Sequence, residues 1–206
     1  MTDLTAKRHS MRLVLRERRA SLAEVDQKKA SLTIATRLAR LPILRDALVV
    51  AGYRAVRGEI GIEASLRLLR EQGTVVTVPR VVGDHLEFLS WNPEAATVAG
   101  SFGIEEPTDG APVPFDGHTA VLTPLVAFDR HGQRLGQGGG FYDRVMRLAG
   151  AARPVMIGVA HSFQEVERVP TEPWDQPLDA VVTDDEVIEF RLGSVDPLGE
   201  VPRSSS

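Results

Sequence analysis

Apolar and polar positions divide the chain into short continuous apolar runs and longer amphipathic stretches. ALVVAGY (47–53), TVVTVP (74–79), the β-branched run that opens at Thr119, VMIGVA (155–160) and AVVTD (180–184) are the runs. Each has the length and composition of a strand covered on both faces. Between them lie helical spacings. Residues 5–20 have helical propensity, and the next helix runs to about Arg40 with Ile34, Leu38 and Leu41 inward. A third spans Ile62 to Gln72 with Leu66 and Leu69 inward, and FYDRVMRLAG repeats at Phe141, Val145 and Leu148 before Gly150. The punctuation fits these limits: Ser21 with Glu24 reads as a capping box, Pro42 as a helix stop and Gly73 as a helix end. Strand, helix, strand in that order implies parallel neighbours joined by right-handed crossovers. The expected fold class is α/β: a three-layer sandwich with a mainly parallel central sheet flanked by helices, plus a small hairpin at 80–91 turning at Gly83-Asp84.

The remainder is irregular. Residues 92–118 carry Pro93, Pro107, Pro112 and Pro114 and little periodicity, so they read as a long loop anchored by Gly103-Ile104-Glu105-Glu106-Pro107. EVIEFRL adds an edge strand. Residues 1–195 are expected to form one domain, and 196–206, with little apolar content, a frayed tail.

The stretch from Thr119 to Arg144 carries the chemistry. It runs from strand through Gly132, Gly136, Gly138, Gly139 and Gly140 into a helix. Glycines let a backbone approach a ligand, and the free N–H groups of a helix start attract an anion. GxxxxGK[ST] is absent, and GxGxxG fails because Phe141 stands at its last glycine. A flexible turn is the plainer reading, but a run of glycines backed by Arg134 favours phosphate binding. In parallel sheets ligands sit beyond the carboxyl ends of strands. The segments carrying Arg54 and Glu59, and His161 to Gln164, fall on that side.

Arg8, Arg12, Arg16 and Arg19 share one face of the first helix, either solvated or an anion clamp beside the glycine loop. Asp143, in the first turn after Gly140, is either a dipole-satisfying carboxylate paired with Arg147 or a Mg²⁺ ligand. Asp175 and Asp179 read similarly. Arg134 is a phosphate clamp or a surface arginine, and Phe141 and Tyr142 are core or a wall for a flat ligand.

A net charge of -4 argues against a dedicated nucleic-acid binder. The lack of cysteine excludes disulfides and thiolate chemistry. No apolar run suits a bilayer and no apolar signal core follows the basic start, so a soluble cytoplasmic protein without a membrane partner is expected. The five histidines lack zinc-helix spacing, and no GxSxG elbow is present.

LVAFDRHGQRLGQGGGFYDR resembles the signature of the 5-formyltetrahydrofolate cyclo-ligase family, close to P-x-x-x-F-D-x-x-G-x-R-L-G-x-G-x-G-[FY]-Y-D. Pro124, Phe128, Asp129, Gly132, Arg134, Leu135, Gly136, Gly138, Gly140, Tyr142 and Asp143 fit it. The arginine-rich start, Gly58-Glu59-Ile60, VPR at 78–80, GIEEP at 103–107 and VPTEPWDQPLD at 169–179 agree in order. The resemblance implies an ATP- and Mg²⁺-dependent enzyme closing 5-formyltetrahydrofolate to 5,10-methenyltetrahydrofolate, and the protein is expected to act as a monomer. It implies that Arg8, Arg12 and the segment Arg134, Leu135, Gly136, Gln137, Gly138, Gly139, Gly140, Phe141 and Tyr142 hold ATP. It implies that Asp143 and Asp175 hold Mg²⁺, that Arg134 and Asp143 are catalytic, and that Arg54, Glu59, Phe141 and Tyr142 meet the folate. Arg8 and Gly139 stand where family members often carry lysine; arginine keeps the charge but changes the reach. The alternatives are a non-catalytic folate- or nucleotide-binding protein on the same scaffold and a phosphosugar-handling protein of similar topology.

Overall fold

The computed structural model describes residues 3–95, 97–100 and 105–192. Its core is a twisted sheet in which five strands run parallel. These are β1 (Val49–Ala51), β2 (Val75–Val82), β7 (Ala120–Pro124), β10 (Val155–Ala160) and β11 (Ala180–Thr183). Antiparallel strands finish both edges: β12 (Val187–Glu189) beside β11, then β3 (His85–Ser90) and β6 (Pro112–Val113) beyond β2. The full order is β12-β11-β10-β7-β1-β2-β3-β6.

Strand alternation builds two cores. Ala120 and Leu122 of β7, with Ile157 and Val159 of β10, face helices α2 (Glu24–Leu38) and α4 (Glu63–Glu71). Val121, Met156 and Ala160 face the other way, against Met146 of α5 (Phe141–Ala149). Each wholly buried Val, Leu or Ile contributes about 1.5–3 kcal/mol. This is the expected three-layer α/β sandwich. A third small core joins Leu15 of α1 (Asp3–Ala20) to Ala127 and Leu135. Those two residues lie on a separate two-stranded ribbon, β8 (Ala127–Phe128) with β9 (Arg134–Leu135).

Several details depart from the expectation. Ser21 does not cap α2: the N-cap is Ala23 without a side-chain bond, and Ser21 Oγ donates to Arg18 O at 2.8 Å. Helix α2 stops at Leu38, and Pro42 opens a further turn of helix, α3 (Pro42–Arg45), because its fixed φ suits a first helical position. The expected hairpin turning at Gly83-Asp84 is present, and its arms, the end of β2 and β3, belong to the main sheet. Leu148 is 84% exposed; the inward residues of α5 are Val145 and Met146. The proline-rich segment carries a small ladder, β4 (Thr97–Ala99) with β5 (Glu105–Pro107). Gly103, Ile104 and the tail from 196 lie outside the described residues.

Candidate functional site

The glycine loop hangs from the ribbon. Asp129, wholly buried, sets the ribbon's turn: Oδ1 accepts from the His131 and Gln133 amides at 2.9 and 3.1 Å, and Oδ2 from the Val169 amide at 2.9 Å. The chain leaves β9 through residues 136–140 and enters α5 at Gly140, its N-cap, with φ +65°. Gly138 has φ +109°. Both values lie where a side chain is strained, so the glycines fix the shape of the loop that presents the helix start.

Helix α1 lies along this loop with its arginine face inward, which decides against a merely solvated face. Arg8 grips Asp175, Nη1 to Oδ2 at 2.5 Å and Nη2 to Oδ1 at 3.3 Å. Arg12 Nε donates to Gly136 O at 2.9 Å, and Arg16 Nη2 to Gln137 O at 2.7 Å. Arg19 Nε reaches Arg57 O at 3.0 Å. Burial lowers the pKa of Arg12, and the neighbouring charges of Arg8 and Arg16 lower it further.

Two cavities open on the loop. The first, about 350 Å³, is walled by Pro79, Val81, Leu86 and Pro124 and by the rings of Tyr53, Phe141 and Tyr142. Arg54, Arg57, Glu59, Glu106 and Arg134 are among its polar groups. The second, about 410 Å³, is cationic at Arg8, Arg12, Arg144 and Arg147 and bordered by Trp174 and Asp175. Gly136, Gly140 and Asp143 line both. The loop is thus a partition with one ligand-sized space on each side.

In the first cavity burial pushes the Glu59 pKa up, against Arg19, the Val56 amide and Gln137, which pull it down. Gln137 Nε2 donates to Glu59 Oε1 at 2.8 Å and so ties the loop to the acid. Burial also raises the Tyr142 phenol, with a Thr123 hydrogen bond opposing it. On the partition, Asp143 Oδ1 accepts from Arg134 Nη2 at 2.8 Å and from the Gln176 amide at 3.1 Å. Its partner is therefore Arg134 and not Arg147. Arg134 also donates to Gln176 O and is 6% exposed, so it is no surface arginine.

Asp143 and Asp175 both border the second cavity. Among the described residues no group of three or more His, Cys, Asp or Glu side chains is placed to hold a metal. Two carboxylates bordering a cationic, ligand-sized space nevertheless suit Mg²⁺, which commonly takes one or two carboxylates and completes its shell with phosphate oxygens and water.

The other expected site residues are placed as follows. Gly138 borders the second cavity, and Gly139 and Gln137 the first. Leu135 borders neither: its side chain is wholly buried in the core under α1, and only its backbone belongs to the ribbon. Asp179 lies at the opposite edge of the sheet, paired with Arg153 at 2.5 Å and with the Met156 amide at 2.8 Å. His161 and Gln164 bond backbone, at Gly58 O and at Leu125 and Val126 O, and line neither cavity. Arg57 and Arg144 join the lining with no signal in the sequence, while Glu106 and Trp174, present only within the GIEEP and VPTEPWDQPLD segments, and Arg147, read only as a partner for Asp143, join it as well. Arg16 borders the first cavity, and its signal was the i, i+4 spacing of the arginine face.

Fold and site define an α/β protein that presents a glycine loop between two ligand cavities. The family model of the 5-formyltetrahydrofolate cyclo-ligases matches residues 4–184. The chain is 36% identical to 5-formyltetrahydrofolate cyclo-ligase of Escherichia coli K12, over 86% of this chain and 100% of that one. It is 35% identical to the Haemophilus influenzae enzyme of that name, over 84% and 96% of the two chains. An NMR structure of Aquifex aeolicus 5,10-methenyltetrahydrofolate synthetase superposes with a TM-score of 0.79 at 30% identity, covering 89% of this chain and 93% of that one. The chain belongs to the 5-formyltetrahydrofolate cyclo-ligase family.

Proposed function

We propose that this protein closes 5-formyltetrahydrofolate to 5,10-methenyltetrahydrofolate with cleavage of ATP to ADP and phosphate. The observation that carries the reading is the partition: Gly136, Gly140 and Asp143 border both cavities, so two ligands can meet across one loop. The N5-formyl group is an amide whose oxygen leaves poorly. Its oxygen attacks the γ-phosphorus, the β–γ bridging bond breaks and ADP departs. N10 then adds to the activated carbon, the C–O bond breaks, phosphate leaves with the former formyl oxygen, and N10 loses its proton. The protein supplies alignment and charge neutralisation and needs no nucleophile.

In this reading the second cavity takes the nucleotide. Arg8 and Arg12 hold its phosphates, and the backbone of residues 134–142 cradles the γ-phosphoryl group. Asp143 and Asp175 hold Mg²⁺, which when bound spreads the negative charge of the phosphate oxygens. Arg134 keeps Asp143 in place and faces the developing charge. The first cavity takes the folate, with Glu59 accepting from the pterin N–H edge, Phe141 and Tyr142 against its faces, and Arg54 at its rim. In this reading the protein works in the cytoplasm as a monomer.

The test is a spectrophotometric cyclisation assay on purified protein. Methenyl-folate absorbance should rise only with both ATP and Mg²⁺ present. No rise under conditions where a known cyclo-ligase turns over would refute the reading and leave a binding protein on the same scaffold.

A further inference from the structure

Arg19 is 1% exposed and stands behind the first cavity, outside its lining. A charge so far from water needs partners. Nε donates to Arg57 O at 3.0 Å and Nη1 to Leu125 O at 3.2 Å. Among the described residues Nη2 makes no hydrogen bond; it is buried 3.6 Å from Glu59 Oε1. The turn that Arg19 grips is strained. Arg57 has φ +52°, the one non-glycine residue in the left-handed region among those described. Gly58 follows at φ +75°, and a Cβ there would stand 2.7 Å from Arg19 O. From the far side His161 Nε2 donates to Gly58 O at 3.1 Å. A strained turn persists only where its surroundings hold it, and here the clamp ends on the acid that faces the cavity.

We propose that Arg19 is a positioning residue for the folate site: it holds the Arg57–Gly58 turn and aims the Glu59 carboxylate into the cavity without touching the ligand. The inference rests on the reading of Glu59 as acceptor for the pterin. It explains why a fully desolvated arginine leaves one nitrogen to a carboxylate and not to a carbonyl. Glu59 already accepts from the Val56 amide at 3.1 Å and from Gln137 at 2.8 Å. Adding Arg19 as a charge gives the acid three partners beside the cavity that it lines.

The charged and titratable groups around Glu59 are Arg16 and Arg19 from α1, Arg57 from its own loop, Tyr53 from the end of β1 and Tyr142 from α5, with His161 beyond Gly58. Burial raises the acid, and Arg19 is the largest influence opposing it. Folate affinity should therefore fall as pH drops through the raised pKa of Glu59. Loss of Arg19 should move that acid limb to higher pH.

The experiment measures folate KM, ATP KM and kcat across pH for the wild type, Arg19→Lys, Arg19→Met, Glu59→Gln and the double variant Arg19→Met/Glu59→Gln. Arg19→Met should raise folate KM by about tenfold, leave ATP KM within about twofold, and shift the acid limb upward. Arg19→Lys keeps a cation beside Glu59 but cannot serve both carbonyls, so folate KM should rise about threefold with the limb in place. In the Glu59→Gln background the pH dependence should vanish and Arg19→Met should add little. Should Arg19→Met fail to fold, Arg19→Lys decides: wild-type folate KM there overturns the proposal. Parallel changes in both KM values, or an Arg19 effect undiminished by Glu59→Gln, make Arg19 a fold residue only and overturn it as well. Unaltered folate KM in Glu59→Gln alone removes the acid from the folate site and the inference with it, while ATP-dependent turnover would leave the reaction assignment standing.

Discussion

Replacing Asp143 by Asn separates the two duties of this carboxylate. Its Oδ1 serves the Arg134 guanidinium at 2.8 Å and the Gln176 amide at 3.1 Å. The Arg134 side chain is 5% exposed and that of Asp143 24%. Removing one half of a fully buried ion pair costs about 3–5 kcal/mol. Here Asp143 is partly wetted, Gln176 O remains an acceptor for Arg134, and the new amide oxygen can still accept. The cost should shrink to about 1–2 kcal/mol. For a chain of this size that lowers Tm by about 2–8 °C. Activity should lose far more. If the carboxylate holds Mg²⁺ and aligns the γ-phosphate, kcat/KM should fall by about 10²–10³, or roughly 2.7–4 kcal/mol of transition-state stabilisation. Half-saturation by Mg²⁺ should also move to higher concentration. Thermal unfolding reads the first effect, and methenyl absorbance with Mg²⁺ titrated reads the second. A loss of less than about tenfold with an unchanged Mg²⁺ curve would make Asp143 merely the partner of Arg134 and refute the metal role.

Arg12→Ala removes the 2.9 Å donor to Gly136 O and a cation from the second cavity; ATP KM should rise about tenfold and folate KM less than twofold, whereas equal rises would contradict the division of the site. Gly138→Ala meets no steric obstacle, since its Cβ would lie 3.8 Å from the Arg12 guanidinium, but φ +109° is hostile to a side chain. The loop should shift at a cost of about 1–2 kcal/mol, with ATP KM strongly raised and Tm lowered by about 2–8 °C; normal ATP KM would show that the loop shape is not needed. Burial holds the pKa values of His118 and His161 below the ordinary 6.5. The unfolded chain therefore binds these protons first, so stability is full above about pH 6.5 and falls below it, by up to about 1.4 kcal/mol per pH unit for each histidine. Tm measured from pH 7.5 down to 5.5 should drop, with a shallower slope in His118→Gln; a flat profile would contradict neutral burial.

Much of the fold was legible because it is written in short-range pattern. β7, β10 and β11 are covered on both faces, and such strands read as continuous apolar runs. The glycine loop was legible because a left-handed residue leaves its mark in the residue type. Other features had no such mark. Ser21 carried the right residue for a cap, but the chain turned back toward Arg18, and only tertiary packing chose between the two bonds. Leu148 kept the helical spacing yet faces water, since the sheet meets α5 at Met146. Arg57 gives no signal at all: an arginine at positive φ is held there by Arg19, far away in sequence. The pairings of Arg8 with Asp175 and of Arg134 with Asp143 were equally invisible, because charge complementarity across the fold has no fixed spacing.

Helix α1 works as a ruler. Its arginines at 8 and 12 border one cavity, while those at 16 and 19 reach the other's wall and the turn behind it. At about 1.5 Å per residue the rigid rod spans roughly 16 Å between the first and last. Deleting one residue between Arg12 and Arg16 would swing the later pair about 100° around the axis while the earlier pair kept its heading. Separation of the two ligands is thus written into the phase of a single helix, and length changes there should be far less tolerated than substitutions on its outer side.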